Sequence, residues 1–164
     1  MRFEGGIWDK IQPELHRIAA MRLSGESNCS LAASDLVNEA MLRIFAQEDV
    51  EERSRPKVLA WVSHIMRQVL IDHARKKHAD KREHHKVTLI TNIPETSEVD
   101  FLELDLLLQE LAEIDPQRSE LVEMRFFGGM TIEEIALASD VSPATVKRRW
   151  AATRAWLYHR MQDR

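Results

Sequence analysis

Apolar positions recur at helical spacing along most of this chain, and the places where they lapse divide it. Leu15, Ile18, Ala19 and Leu23 form one stripe, after which Ser24 to Asn28 reads as a loop. Leu36, Val37, Ala40, Leu42, Ile44 and Phe45 form a second, predicting a helix capped near Ser34 and Asp35. Gln47 to Pro56 is polar and without period. Beyond it, Val58, Trp61, Val62, Ile65, Val69 and Leu70 predict a long helix running into a cationic block near Lys77. Three such helices can share one core. From about Asp80 to Val99 the pattern gives way to clustered cations and histidines, a short apolar run from Val87 to Ile90, and Asn92, Pro94 and Thr96, the composition of a linker. Phe101 to Leu111 is strongly apolar, and Asp115 with Pro116 opens another helix that stops at Gly128 and Gly129. The expected architecture is all-α, with a helical domain over 8–79, a flexible linker over 80–99 and a second helical domain over 100–162. Cores this small gain from docking on each other or on a partner.

The last segment, Thr131 to Trp150, carries the most specific pattern. Thr131 with Glu134 three residues on is a capping box, and Ile132, Ile135 and Ala136 give the helix after it one apolar face. Ser139 and Asp140 interrupt that face, and Asp tolerates the left-handed geometry a tight corner needs. Ser142 followed by Pro143 is an N-cap with Pro at the first helical position. In the second helix Val146 and Trp150 face inward at i and i+4, leaving Thr145, Lys147, Arg148 and Arg149 outside. A short capped helix, a corner and a cationic helix make a helix-turn-helix, whose second helix enters a major groove. The alternative is an ordinary helical hairpin with a solvated basic face.

Net charge is −4, low for a DNA binder until the charges are mapped. Asp35 and Glu39, then Glu48 to Glu52, make the first part acidic, and Glu95 through Glu120 is acidic again. Arg75, Lys76, Lys77, Lys81, Arg82 and Lys86 form one basic block and the end from Lys147 to Arg164 another, which suggests two separate phosphate contacts. The long helix also carries Arg67, Gln68 and Asp72, and the loop before it contains Arg53, Ser54, Arg55 and Lys57. Such a helix and loop could hold a separated strand, cations on its backbone and polar groups on an unstacked base. A solvated helix face is the alternative there. The tether is permissive: roughly twenty extended residues reach about 65 to 70 Å, close to two turns of B-DNA at about 34 Å each.

Other classes find little support. No apolar run is long enough for a membrane span or a secretory signal. The single cysteine, Cys29, excludes an intramolecular disulfide and a multi-cysteine zinc site, and a reducing cytoplasm fits. His78, His84 and His85 lack helical ligand spacing, so no metal and no other cofactor is expected. No phosphate loop, paired-carboxylate site or nucleophile with its base stands out, and no catalytic residue is assigned.

Over residues from about Trp8 to Met161 the chain resembles the extracytoplasmic-function (group 4) sigma-70 family of bacterial RNA polymerase sigma factors, the short type with regions 2 and 4. Three blocks carry the resemblance: SDLVNEAMLRIF (Ser34 to Phe45) for region 2.2, AWVSHIMRQVLIDHARKK (Ala60 to Lys77) for regions 2.3 and 2.4, and RFFGGMTIEEIALASDVSPATVKRRWAATRAWL (Arg125 to Leu157) for region 4. Two pairs of residues depart from the family pattern. Ser139 and Asp140 stand where the corner usually has Leu-Gly, and Val58 and Leu59 stand where aromatics are common.

The resemblance implies a factor that binds core polymerase through its β′ clamp coiled coil and β flap, and promoter DNA both double-stranded and melted; it leaves room for an anti-sigma factor as a further partner. By it, Asp35, Asn38, Glu39 and Arg43 would dock the β′ coiled coil. Arg67, Gln68, Asp72 and Arg75, with Lys76 beside them and Arg53, Arg55 and Lys57 in the loop, would handle the −10 element. Lys147, Arg148, Ala151 and Ala152 would enter the major groove of the −35 element, with Ser142, Thr145 and Arg149 nearer phosphates. Trp61 matches the family's tryptophan and is expected in the core rather than against a base. The competing function is a helix-turn-helix regulator that does not act through core polymerase and uses its first domain to oligomerise.

Overall fold

The computed structural model describes residues 6–23, 29–47, 54–81, 86–88 and 98–163. The first half consists of three helices, α1 (Ile7–Arg22), α2 (Cys29–Phe45) and α3 (Arg55–Lys81). The stripe on α1 runs further than Leu15 to Leu23: Trp8 and Ile11 continue it, both buried, across Pro13. Its start packs edge-on against α2, with the Trp8 and Phe45 rings 5.5 Å apart. α2 begins well before the expected cap at Ser34 and Asp35, which lie inside it. The apolar spacing extends back to Ala33, which is buried, so the helix has reason to start upstream of both polar residues. On α3, Val58, Leu59, Val62, Ile65, Met66, Val69 and Leu70 are buried, and Trp61 is packed partly buried against the same core. Ser54 accepts the first helical bond, from Val58 N–H. The helix runs to Lys81, one turn past the expected end.

The expected tether contains structure. Lys86–Thr88 (β1) pairs antiparallel with Glu98–Asp100 (β2), with Lys86 opposite Asp100 and Thr88 opposite Glu98. The segment folds back on itself and draws its ends together, where an open linker would let them part to its full reach. The class remains all-α, with this two-stranded ribbon as its one sheet among the described residues.

The second half comprises α4 (Phe101–Ile114), α5 (Pro116–Val122), α6 (Ile132–Ser139) and α7 (Pro143–Gln162). Asp115 caps α5 as expected, accepting from Arg118 N–H at 3.3 Å. α5 widens over Glu123–Phe127 into a turn with i to i+5 bonding, closed by Gly128 N–H on the Glu123 carbonyl at 3.1 Å. Phe101, Phe126 and Phe127 cluster inside it, the last two edge-on with centroids 4.9 Å apart.

One contiguous core runs through both halves. α3 packs on α2 along one side and on α4, the wide turn and α6 along the other. The two halves approach closely at Gly128, where a Cβ would coincide with the hydroxyl of the fully buried Ser63. Ser63 bonds the Leu59 carbonyl at 2.7 Å, so glycine lets the two backbones meet.

Candidate nucleic-acid interface

The α6–α7 hairpin forms as its sequence predicts. Thr131 Oγ1 accepts from Glu134 N–H at 3.2 Å, and Glu134 Oε2 accepts from Thr131 N–H at 2.9 Å. Asp140 closes α6 in the left-handed region, φ 54° and ψ 41°, the geometry that its side chain tolerates where glycine is usual. Ser142 caps α7, its Oγ accepting from Thr145 N–H at 3.2 Å and lying 3.0 Å from the Thr145 hydroxyl. Val146 is buried and Trp150 partly buried beneath the Arg125 guanidinium, 5.5 Å from the ring centre. Lys147, Arg148, Ala151 and Ala152 are exposed together on the outer face, with Thr145 and Arg149 half-buried at its border. Arg118 of α5 braces this helix from behind, donating to Thr153 Oγ1 and the Ala152 carbonyl, each at 3.0 Å. The face presents two cations beside two small side chains, a shape that lets a helix approach base edges closely.

On α2, Asp35, Asn38 and Glu39 are exposed, and Arg43 is half-buried. Arg43 bonds Glu39 at 3.0 Å and Asp72 of α3 at 2.9 Å, so it ties the α2 surface to the α3 surface. The bond to Asp72, opposed by partial burial and helped by Glu39, raises the Arg43 pKa. Exposed Leu42 and Phe45 lie on the same helix.

Of the α3 residues expected to handle a separated strand, Arg67 is placed otherwise than expected, while Gln68 and Lys76 are exposed. Arg67 is not a free surface cation: its side chain is 14% exposed and is held by the C-terminal half. It donates to Asp105 Oδ1 at 2.8 and 3.1 Å and to Glu123 Oε2 at 2.6 Å. Arg75 lies 3.5 Å from the other Asp105 oxygen. Arg55 donates to Glu134 at 2.8 Å, and Lys57 approaches Asp140 at 3.5 Å. Burial pushes the Glu134 carboxyl up, but the Thr131 N–H and the Arg55 guanidinium outweigh it and leave the carboxyl below its usual range. Gln68 is exposed and contacts His64 at 3.0 Å, and Lys76 is exposed. Arg53 lies outside the described residues.

Several residues central to this arrangement were not singled out by the sequence reading. Asp105 and Glu123 receive Arg67, and His64 joins them through Nδ1, 3.0 Å from Glu123. Arg22, 6% exposed, donates to the Phe126 carbonyl at 2.6 and 3.0 Å, and its guanidinium carbon sits over that ring, 3.8 Å from the centroid. Burial, with a smaller push from Arg17, lowers its pKa to about 10, which leaves it protonated at neutral pH. A signal existed for two of them: Asp105 and Arg22 sit at apolar positions of their stripes, and a charge there needs a buried partner.

Among the described residues no helix is long and apolar enough to cross a membrane, and no three His, Cys, Asp or Glu side chains gather as a metal site. His78, His84, His85 and Cys29 have no described side-chain placement.

The family model described as ECF sigma factor matches residues 3–163 of the chain. A curated relative, the ECF RNA polymerase sigma factor BldN of Streptomyces coelicolor, is 23% identical over 147 residues, covering 87% of this chain and 54% of that protein. The chain thus spans about half the length of the curated relative that it matches. Among solved structures, the sigma factor RpoE in its co-crystal with the anti-sigma factor NepR from Bartonella quintana aligns over 94% of both chains at 18% identity, with a TM-score of 0.41.

Proposed function

The chain belongs to the ECF sigma factor family, and from that premise we propose that it is a promoter-specificity subunit of RNA polymerase, non-catalytic itself, working in the cytoplasm. The observation that carries the reading is the outer face of α7, where Lys147, Arg148, Ala151 and Ala152 stand clear of the fold on a helix fixed by its Ser142 cap and the Arg118 brace. In this role the domain over 100–162 reads the −35 duplex, with Ser142, Thr145 and Arg149 toward phosphates. The domain over 8–79 docks the β′ clamp coiled coil through Asp35, Asn38, Glu39 and Arg43 and handles the −10 element. That second task falls to Arg67, Gln68, Asp72, Arg75 and Lys76 with the Arg53, Arg55 and Lys57 segment. Residues 80–99 join the two, the β flap is a further polymerase contact, and an anti-sigma factor is a further partner.

Each surface has its own physics. Cations on α7 displace counterions from duplex phosphates and read base edges, so their loss weakens binding most at low salt. Carboxylates on α2 suit a basic protein surface and would repel DNA. The test is a pair of charge reversals. Lys147→Glu with Arg148→Glu should abolish promoter binding by the polymerase complex and leave assembly with core polymerase intact; Asp35→Lys with Glu39→Lys should do the opposite. Equal damage by both pairs to the same step would refute the division of labour.

A further inference from the structure

A cavity of about 390 Å³ lies between α5 and the α6–α7 hairpin, within the size range of small-molecule sites. Leu121 and Met124 line it from α5 and the wide turn, Ile135 from α6 and Val146 from α7, all four buried. Ala60 and His64 of α3 complete the wall. The titratable side chains that face it are His64, Glu120, Glu123 and Arg149. Glu123 is engaged, with Arg67 at 2.6 Å and His64 at 3.0 Å. Arg149 and Glu120 are not. Among the described residues neither side chain has a hydrogen-bond or ion-pair partner, and the two do not bridge each other. Two unmatched opposite charges thus face one cavity with an apolar lining.

We propose that this cavity is a receptor site for a free α-amino acid with a large apolar side chain, its carboxylate on Arg149, its ammonium on Glu120 and its side chain against Leu121, Met124, Ile135 and Val146. The charge pattern selects the class. An apolar anion would leave Glu120 unmatched and be repelled by it, and an apolar amine would meet the Arg149 guanidinium. A zwitterion satisfies both, and a guanidinium holds a carboxylate through two parallel bonds. The lining then favours a large apolar side chain over a small one, by about four-fold in affinity per buried methylene. Occupancy also draws on the guanidinium that the proposed function turns toward −35 phosphates, so ligand and duplex compete for Arg149. That competition rests on the proposed function; the site itself does not.

The test is isothermal titration calorimetry of the full chain with L-leucine and L-phenylalanine. Isocaproate and hydrocinnamate, which lack the amine, and isoamylamine and phenethylamine, which lack the carboxylate, are titrated beside them. At least one of the two amino acids should bind once per chain with a Kd below about 1 mM, and both of its analogues at least about ten-fold more weakly. Glu120→Gln, at an exposed position assigned to neither DNA nor polymerase, should weaken the amino acid about ten-fold, with circular dichroism confirming the fold. Binding by neither amino acid below that limit, an analogue that binds as tightly, or a folded Glu120→Gln protein that binds as wild type does overturns the proposal. The analogues decide on the unaltered chain, whatever the variant does.

The anisotropy of a fluorescein-labelled, mixed-sequence duplex, read at one fixed amino-acid concentration, separates the site from the proposed function. Duplex binding weakened about five-fold in wild type and unchanged in Glu120→Gln supports the competition. An amino acid that binds and leaves duplex affinity unchanged refutes the assignment of Arg149 to phosphates, while the receptor site stands.

Discussion

Replacing Arg22 by Met isolates the interaction that most directly ties α1 to the C-terminal half. Met keeps much of the buried stem volume and removes the guanidinium. What is lost is a charge-assisted, two-pronged donation to the Phe126 carbonyl at 2.6 and 3.0 Å and the contact over that ring, 3.8 Å from the centroid. Hydrogen bonds to charged groups contribute roughly 1.5–3 kcal/mol, and a buried carbonyl left without a donor costs about the same as the bond it lost. The cation over the ring adds about 0.5–2 kcal/mol. Against this, Met no longer carries the desolvation that lowers the Arg22 pKa to about 10. The net expectation is a loss of about 2 kcal/mol, a factor of about 30 in the folded-to-unfolded ratio. Urea unfolding followed by circular dichroism measures it, with Arg17→Met as control. Arg17 is half exposed and pairs only loosely with Glu14 at 3.5 Å, so its replacement should change stability by less than about 0.5 kcal/mol. If Arg22→Met were as stable as that control, the buried clasp would hold nothing and the reasoning would fail.

Gly128→Ala should cost about 3 kcal/mol, because the new methyl would coincide with Ser63 and lie 2.8 Å from the Met124 carbonyl. Adding Ser63→Gly should recover part of that loss in thermal melts, and an absence of rescue would contradict the close approach. Glu134 titrates below its ordinary value of 4.5, so its contribution is present above that pH and is lost as the pH falls through the folded-state value. The stability difference between wild type and Glu134→Gln should therefore shrink on acidification below 4.5, and a difference constant down to strong acid would refute the pairing. Ser142→Ala should lose about 1 kcal/mol and Ser142→Gly only a few tenths, since a glycine cap is nearly as good; equal losses in denaturant melts would mean that the hydroxyl does not cap α7.

The hairpin was legible because every signal in it is local. Thr131 and Glu134 are three residues apart, Ser142 and Thr145 are three apart, and Asp140 acts through its own backbone. The same locality explains the misplaced start of α2: Ser34 and Asp35 look like caps only if the apolar spacing that reaches back to Ala33 is overlooked. The seam was not legible. Arg67 finds its carboxylates 38 and 56 residues away and Arg22 its carbonyl 104 away, separations at which no spacing rule operates. Arg67 and Arg75 therefore looked like free cations on a helix surface. The ribbon was missed for a related reason, since pairing Lys86 with Asp100 depends on register across a polar stretch rather than on either strand's composition.

The most direct test of the account is reconstitution with core RNA polymerase. The purified chain is mixed with core enzyme of its host, the complex is isolated by size exclusion, and the transcripts it makes on host genomic DNA are sequenced with and without the chain. The account predicts co-elution and a set of chain-dependent start sites sharing two upstream elements, all lost with the Lys147→Glu/Arg148→Glu variant although co-elution persists. A chain that neither co-elutes with core enzyme nor adds a single start site would contradict it.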